Sequence, residues 1–199
     1  MTIRSLAAAL LALAAAAPAM AIDAAKVPEE KRTKLGLYVD SKEAYALKKD
    51  LGAKALFVDV RTRAEAQYVG LPGVTDAIVP LVEVSSSEWD EAKGRLKLVP
   101  QKDFVAGMEK RLEAAGLSKS DPVILICRSG DRSAKATDDL TAAGFTRVYT
   151  VIDGFEGDMS KAGRREVNGW KNADLPWSYK LTKEKAFYER KAPLVPGRS

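Results

Sequence analysis

The stretch Val123-Ile124-Leu125-Ile126-Cys127-Arg128-Ser129-Gly130-Asp131-Arg132-Ser133 decides the fold. Its first four residues are aliphatic without interruption, follow Pro122 and are mostly β-branched. Such a run is too short for a globular helix and shows no polar alternation. It predicts a central strand buried on both faces, as in a parallel sheet. The polar loop beginning at Cys127 leads into a helix expected over Arg132 to Ala143. A strand that hands directly to a helix is the repeating unit of an α/β domain.

The same alternation continues on both sides. Downstream, Arg147 to Ile152 reads as the next strand. Upstream, Asp103 to Ala115 reads as a helix with Phe104, Val105, Met108 and Leu112 on one face. Leu112-Glu-Ala-Ala-Gly116-Leu117 and Leu140-Thr-Ala-Ala-Gly144-Phe145 place glycine and then an apolar residue past each helix end, the pattern of a Schellman stop. Ala55 to Val60 is a buried-strand run, a short helix follows over Ala64 to Tyr68, Gly70-Leu71-Pro72-Gly73 is a turn, and Ala77 to Leu81 is a further strand. A helix to about Asp50 starts at Asp40-Ser41-Lys42-Glu43, where Asp40 or Ser41 can cap. Glu83 to Pro100 has no clear period and reads as a long loop. The expected fold is α/β, a mainly parallel sheet with helices on both faces and right-handed crossovers.

The ends of the chain differ from its body. Arg4 precedes an alanine/leucine run from Leu6 to Ala17; Pro18 and then Ala19-Met20-Ala21 complete the pattern of a secretory signal cleaved near Ala21. Residues 1–21 are therefore read as a signal, 22–34 as a leader, 35–179 as the domain and 180–199 as a basic tail, with a periplasmic or secreted location after cleavage. No other stretch approaches membrane length, so no stable membrane insertion is expected. The formal charge of +5 resides at the ends. From Ile22 to Trp177 there are 25 basic and 25 acidic residues, so a nucleic-acid surface is not expected. The tail reads as solvated, with docking to an acidic partner or lipid head groups as the alternative.

The chain of 199 residues holds one cysteine and no histidine. That excludes a Ser-His-Asp triad, a Cys-His dyad, an imidazole metal site and an intrachain disulfide; no metal or cofactor is expected. Cys127 stands out instead. It ends the most buried strand, at the carboxyl edge of the sheet and just before a helix N-terminus, where open α/β folds bind ligands. Helix N-termini and neighbouring arginines favour a thiolate. Gly130 permits a tight loop whose N–H groups turn inward as a nest for an anion. The candidate site is Cys127 as nucleophile, with Arg128, Ser129, Gly130, Asp131 and Arg132 binding the substrate. Asp131 is expected to point outward, and Ser129 and Ser133 to hydrogen-bond within the loop and helix start. A buried, purely structural cysteine is the competing reading.

At these residues the chain resembles the rhodanese-like sulfurtransferases. The resemblance rests on Val58-Asp59-Val60-Arg61 with Glu65, Pro72-Gly73, Ile78-Val79-Pro80-Leu81, the loop Cys127 to Ser133, Gly169-Trp170 and Leu175-Pro176. It covers roughly Leu35 to Tyr179, and the segment Asp153 to Trp170 looks like that of exported single-domain bacterial members. It implies a three-layer domain with a five-stranded, mainly parallel sheet. It also implies that Cys127 takes a sulfane sulfur from a small anionic donor such as thiosulfate and passes it to a thiophilic acceptor: cyanide, a thiol or a protein partner. A Gly-His-Ile-Pro-Gly turn usual in the family is here Gly70-Leu71-Pro72-Gly73, one residue shorter and without histidine.

Two other functions compete. One is a non-enzymatic persulfide carrier or interaction module. The other is a small-oxyanion reductase or phosphatase, whose C-x5-R loop is one residue longer than the C-x4-R spacing of Cys127 and Arg132. Asp59 or Glu65 is expected to pair with Arg61. Phe155, Trp170 and Trp177 are expected to pack in the core or a lid, with a wall of the sulfur pocket as the alternative.

Overall fold

A computed structural model describes residues 22–187. The expected signal, residues 1–21, and the last part of the tail, residues 188–199, lie outside the described residues. In chain order the elements are β1 (Tyr38–Val39), α1 (Ser41–Leu51), β2 (Leu56–Asp59), α2 (Arg63–Val69), β3 (Leu71–Pro72), β4 (Ala77–Ile78), β5 (Val82–Asp90), β6 (Arg95–Pro100), α3 (Phe104–Ala114), β7 (Val123–Ile126), α4 (Asp131–Ala142), β8 (Val148–Val151), β9 (Trp177–Ser178) and α5 (Lys183–Ala186).

Five strands form a wholly parallel sheet in the order β1-β8-β7-β2-β4. β7 lies at its centre and all four of its residues are buried. Side chains of a strand alternate between faces. Val58, Leu125 and Cys127 thus share one face with Met108 and Leu112 of α3 and Leu140 of α4. Phe57, Ile124 and Ile126 share the other with Ala44 of α1, Phe155 and Trp170. Each buried aliphatic of β7 contributes about 1.5–3 kcal/mol, which explains why this strand has no polar face.

The helix ends obey the local chemistry. Asp40 and Glu43 form a reciprocal capping box on α1, as Thr62 and Glu65 do on α2. Leu117 donates its N–H to the Leu112 carbonyl and Phe145 does the same to Leu140, so both Schellman stops form.

Three expectations are corrected. The segment 83–100 is no featureless loop: β5 and β6 form an antiparallel hairpin, with Val84 opposite Leu98 and Trp89 opposite Leu96. A register irregularity between Val84 and Trp89 erases the two-residue period, and most of the hairpin faces solvent. Gly70 to Gly73 is more than a turn, because Leu71–Pro72 pairs antiparallel with Trp177–Ser178. A Cβ on Gly70 would lie 2.7 Å from the Trp177 ring, so this edge closes only on a glycine. The start of the tail is not merely solvated. α5 docks through buried Ala186, and Arg111 and Arg63 donate to its carbonyls.

The leader also packs. Val27 and Lys31 are buried, and Lys31 reaches Asp158 at 2.8 Å. Among the described residues no helix is long and apolar enough to cross a membrane.

Candidate functional site

The carboxyl end of β7 delivers Cys127 to the floor of a six-residue loop that ends in the first turn of α4. The thiol is fully buried. Its Sγ accepts the Gly130 N–H at 3.1 Å, so the loop folds back over the sulfur. Gly130 has φ +106°, a region closed to most residues. A Cβ there would run into the Ile152 carbonyl and the aliphatic stem of Lys31. The leader therefore backs the loop through Lys31. Ser133 fastens the helix start: its Oγ donates to the Gly130 carbonyl at 2.9 Å and accepts from Thr150.

A second loop braces the first. Phe155 donates its N–H to the Cys127 carbonyl at 2.8 Å, and Glu156 and Gly157 both donate to Arg128. Gly154, at φ +66°, lets the two backbones touch; a Cβ there would sit 2.5 Å from the Arg128 carbonyl carbon and the Ser129 nitrogen. The Asp153 carboxylate holds this brace by accepting from Ser41 Oγ at 2.8 Å and Gly169 N–H at 3.1 Å. Burial raises its pKa to about 6 despite those donors.

The two arginines of the loop differ. Arg132 makes a two-pronged ion pair with Glu65, at 2.8 and 2.6 Å. Burial alone would raise the Glu65 carboxyl, but the Arg132 fork and the Thr62 N–H outweigh it and bring it down to about 2. Burial opposes the charge on Arg132 as well, yet Glu65 raises its pKa, with a further contribution from Cys127. Arg128 is half-buried, forms no ion pair among the described residues, and its buried Nε has no partner. Asp131 is exposed, as expected from sequence, and accepts from Ser129 Oγ.

The expected pairing with Arg61 resolves in favour of Asp59. That pair is fully buried, with Arg61 gripping both carboxylate oxygens and donating to the Gly70 carbonyl at 2.7 Å. The guanidinium also lies 4.2 Å from the Phe155 ring centre. One side chain so ties the end of β2 to the start of β3 and to the bracing loop. Trp170 is a core residue: its ring is fully buried, meets Tyr45 and Phe57 edge-on, and donates to the Pro176 carbonyl.

All six expected site residues thus sit in one loop. Sequence reasoning missed Lys31, Gly154 and the choice of Glu65 for Arg132. The spacing Thr62-x-x-Glu65 is a local signal that sequence reasoning also passed over, and the helix it begins had to be placed beside α4 before the pair could be seen. The hairpin was missed too. Between it and the Cys127 loop lies a cleft of about 820 Å³, with Arg128, Asp131 and Arg132 on one wall and Val84, Leu98 and Arg95 on the other.

Comparisons with known proteins agree with this geometry. The family model described as Rhodanese-like domain matches residues 41–161. The Rickettsia conorii protein RC0915, described as uncharacterized, is 30% identical over 125 residues, 63% of this chain and 84% of that one. Thiosulfate sulfurtransferase 16, chloroplastic, from Arabidopsis thaliana is 51% identical over 37 residues, 19% of this chain and 31% of that one. Among solved structures, Rv0390 from M. tuberculosis superposes with a TM-score of 0.57 at 30% identity, covering 72% of this chain and 97% of that one. By family model, sequence and superposition, the chain belongs to the rhodanese-like domain family.

Proposed function

We propose that the protein is a sulfurtransferase that carries a sulfane sulfur on Cys127. The observation that supports it best is the Cys127 Sγ held under the Gly130 N–H at the head of α4, with Arg128, which forms no ion pair among the described residues and lies in the field of Asp131, at the mouth of the loop. In the first half-reaction the Cys127 thiolate attacks the outer sulfur of thiosulfate. The S–S bond of the donor breaks, sulfite leaves with its electron pair, and Cys127 becomes a persulfide anion. In the second, a nucleophilic acceptor such as cyanide takes the outer sulfur as thiocyanate and the thiolate returns. No proton has to move in either step, which suits a chain without histidine.

The residues divide the work. The Gly130 N–H and the start of α4 offset negative charge on the sulfur. Arg128 attracts the anionic donor. Arg132, neutralised by Glu65, positions the loop instead of serving as a second docking charge. The name of the Arabidopsis relative points the same way. The six-residue loop also favours sulfur over a tetrahedral oxyanion as the species cradled.

Full burial of Cys127 favours one second reading, a carrier that shields its persulfide for a single partner. Thiocyanate production from thiosulfate and cyanide separates the two. Steady turnover lost in Cys127→Ser supports the enzyme; loading without turnover supports the carrier. Export by the 1–21 segment belongs to the same proposal, and the N-terminal residue of protein recovered from a periplasmic extract tests it, with Ile22 expected.

A further inference from the structure

The β5–β6 hairpin is a two-stranded sheet to which no further described strand pairs, so both of its edges are open. The edges differ. On β5 the register breaks between Val84 and Trp89, and Ser85 Oγ accepts the N–H groups of Ser87 and Glu88 at 3.3 and 3.0 Å. A broken edge is a poor template for another strand. β6 is unbroken over Arg95–Pro100. Its phase is set by Gln101, which donates its N–H to the Leu81 carbonyl at 3.0 Å. Bonded and non-bonded pairs alternate along an antiparallel ladder. The Val84–Leu98 pair is therefore a non-bonded one. The N–H and C=O of Leu98, and of Leu96 two residues away, point outward from β5. Among the described residues no hydrogen bond outside the ladder engages them.

The side chains along this edge alternate in character. Leu96 and Leu98 share a face with their ladder partners Trp89 and Val84, and Leu96 and Trp89 are 44% and 54% exposed. Arg95 and Lys97 lie on the other face. Yet Arg95, Leu96, Lys97 and Leu98 all line the cleft of about 820 Å³, so the cleft follows the β6 edge as well as one face of the hairpin. Cys127 is buried within its loop and does not line it. The acids on the cleft are answered. Glu65 pairs with Arg132, Asp131 accepts from Ser129 and lies in the field of Arg132 and Arg128, and Asp90 stands opposite Arg95. Lys97 meets Glu88 at 3.1 Å. Among the described residues Lys93 and Arg95 form no ion pair, and the buried Nε of Arg95 has no hydrogen-bond partner. The edge is left with excess positive charge.

We propose that β6 is a docking edge for an extended segment of a partner protein in which acidic and aliphatic residues alternate, added to the hairpin as a third strand. The backbone groups of Leu96 and Leu98 supply the pairing. The partner's acids meet Arg95, Lys97 and the neighbouring Lys93, and its aliphatic residues extend the face of Leu96 and Leu98. A second copy of this chain is a poor occupant. β6 laid against its own copy would bring Arg95 and Lys97 of both chains together, and the β5 edge is broken. The inference does not rest on the sulfurtransferase reading: it concerns a surface and holds whatever chemistry Cys127 performs.

The test titrates the full chain with peptides matched to the six residues of β6 and follows its amide resonances and amide exchange. The probe alternates glutamate and valine. The controls are a peptide alternating lysine and valine, and the glutamate peptide with all its amides N-methylated. With the probe at about ten times its Kd, exchange at Leu96 and Leu98 is expected to slow about tenfold. Both controls are expected to bind about tenfold more weakly or worse, one for charge and one for lost backbone bonds. Lys93→Glu with Arg95→Glu is expected to weaken the glutamate peptide about tenfold and to strengthen the lysine peptide, a gain that also shows the hairpin to be folded. Equal binding of the N-methylated peptide would reduce the surface to a charge patch and overturn the proposal. So would indifference to the charge reversal, or absence of binding at millimolar probe. Protection of Leu96 and Leu98 that grows with protein concentration in the absence of peptide would make a second copy the occupant, and would overturn it as well.

Discussion

Replacing Glu65 by glutamine tests the pair that locks α2 to the Cys127 loop. The carboxylate serves twice: it accepts the Arg132 fork, and it closes the capping box on Thr62. Glutamine can still cap, so the substitution isolates the ion pair. Both side chains are largely buried, at 14% and 21% exposed. The Glu65 carboxyl titrates at about 2 against an ordinary 4.5. That lowering corresponds to about 3 kcal/mol at pH 7. Breaking a buried pair by removing one partner costs about 3–5 kcal/mol, which agrees.

The sign follows from the direction of the shift. A depressed carboxyl stabilises the fold above its unfolded pKa and loses that contribution as pH falls through the folded one. The window is therefore from 4.5 down to about 2. Urea unfolding of wild type and Glu65→Gln should differ by about 3 kcal/mol at pH 7 and by about 1 kcal/mol at pH 3. A gap under about 0.5 kcal/mol at pH 7, or one that does not narrow in acid, would refute the assignment of this pair as a buried lock.

Other substitutions probe the brace. Gly154→Ala forces a left-handed backbone on alanine and presses its Cβ into the Arg128–Ser129 peptide, so it should destabilise by about 2–5 kcal/mol and slow sulfur loading; unchanged melting and loading would remove the bracing role. Asp153 has a raised pKa of about 6 against 3.8, so its ionised form costs stability that is regained as pH falls from 6 towards 3.8. Asp153→Asn removes this titration but also one of the two acceptors that Ser41 and Gly169 use, so it should flatten the wild-type stability gain of about 2–3 kcal/mol between pH 7 and 3.8 whatever its net effect at pH 7; a variant with the same pH dependence as wild type would show that Asp153 is not the titrating group. Lys31→Ala should loosen the back of the Gly130 turn, seen as faster amide exchange at Gly130 with the global unfolding free energy within about 1 kcal/mol; unchanged exchange would show that the leader only covers the loop.

How far the fold was legible depended on where the determinants lie. β7 and its loop were readable because an unbroken aliphatic run ends abruptly at Cys127 and charged residues follow. Both Schellman stops were readable because glycine and an apolar residue stand at fixed offsets. The β5–β6 hairpin was not, because the irregularity between Val84 and Trp89 and the run Ser85-Ser86-Ser87 destroy alternation. For the site, the cysteine, the turn glycine and the outward Asp131 were local features and were found. The partners of the arginines were not. Asp59 and Glu65 were both in reach of Arg61 by sequence, and only the packing of α2 against the start of α4 assigns Glu65 to Arg132. Lys31 lies about a hundred residues from Gly130, and no local pattern announces that its stem packs there.

The central claim is that Cys127 carries a transferable sulfur. Intact mass of the purified protein after exposure to thiosulfate addresses it most directly. One added sulfur, about 32 Da, is predicted on wild type, removable by cyanide and absent from Cys127→Ala. A wild-type mass that stays unchanged, or an adduct of the same mass on Cys127→Ala, would contradict it.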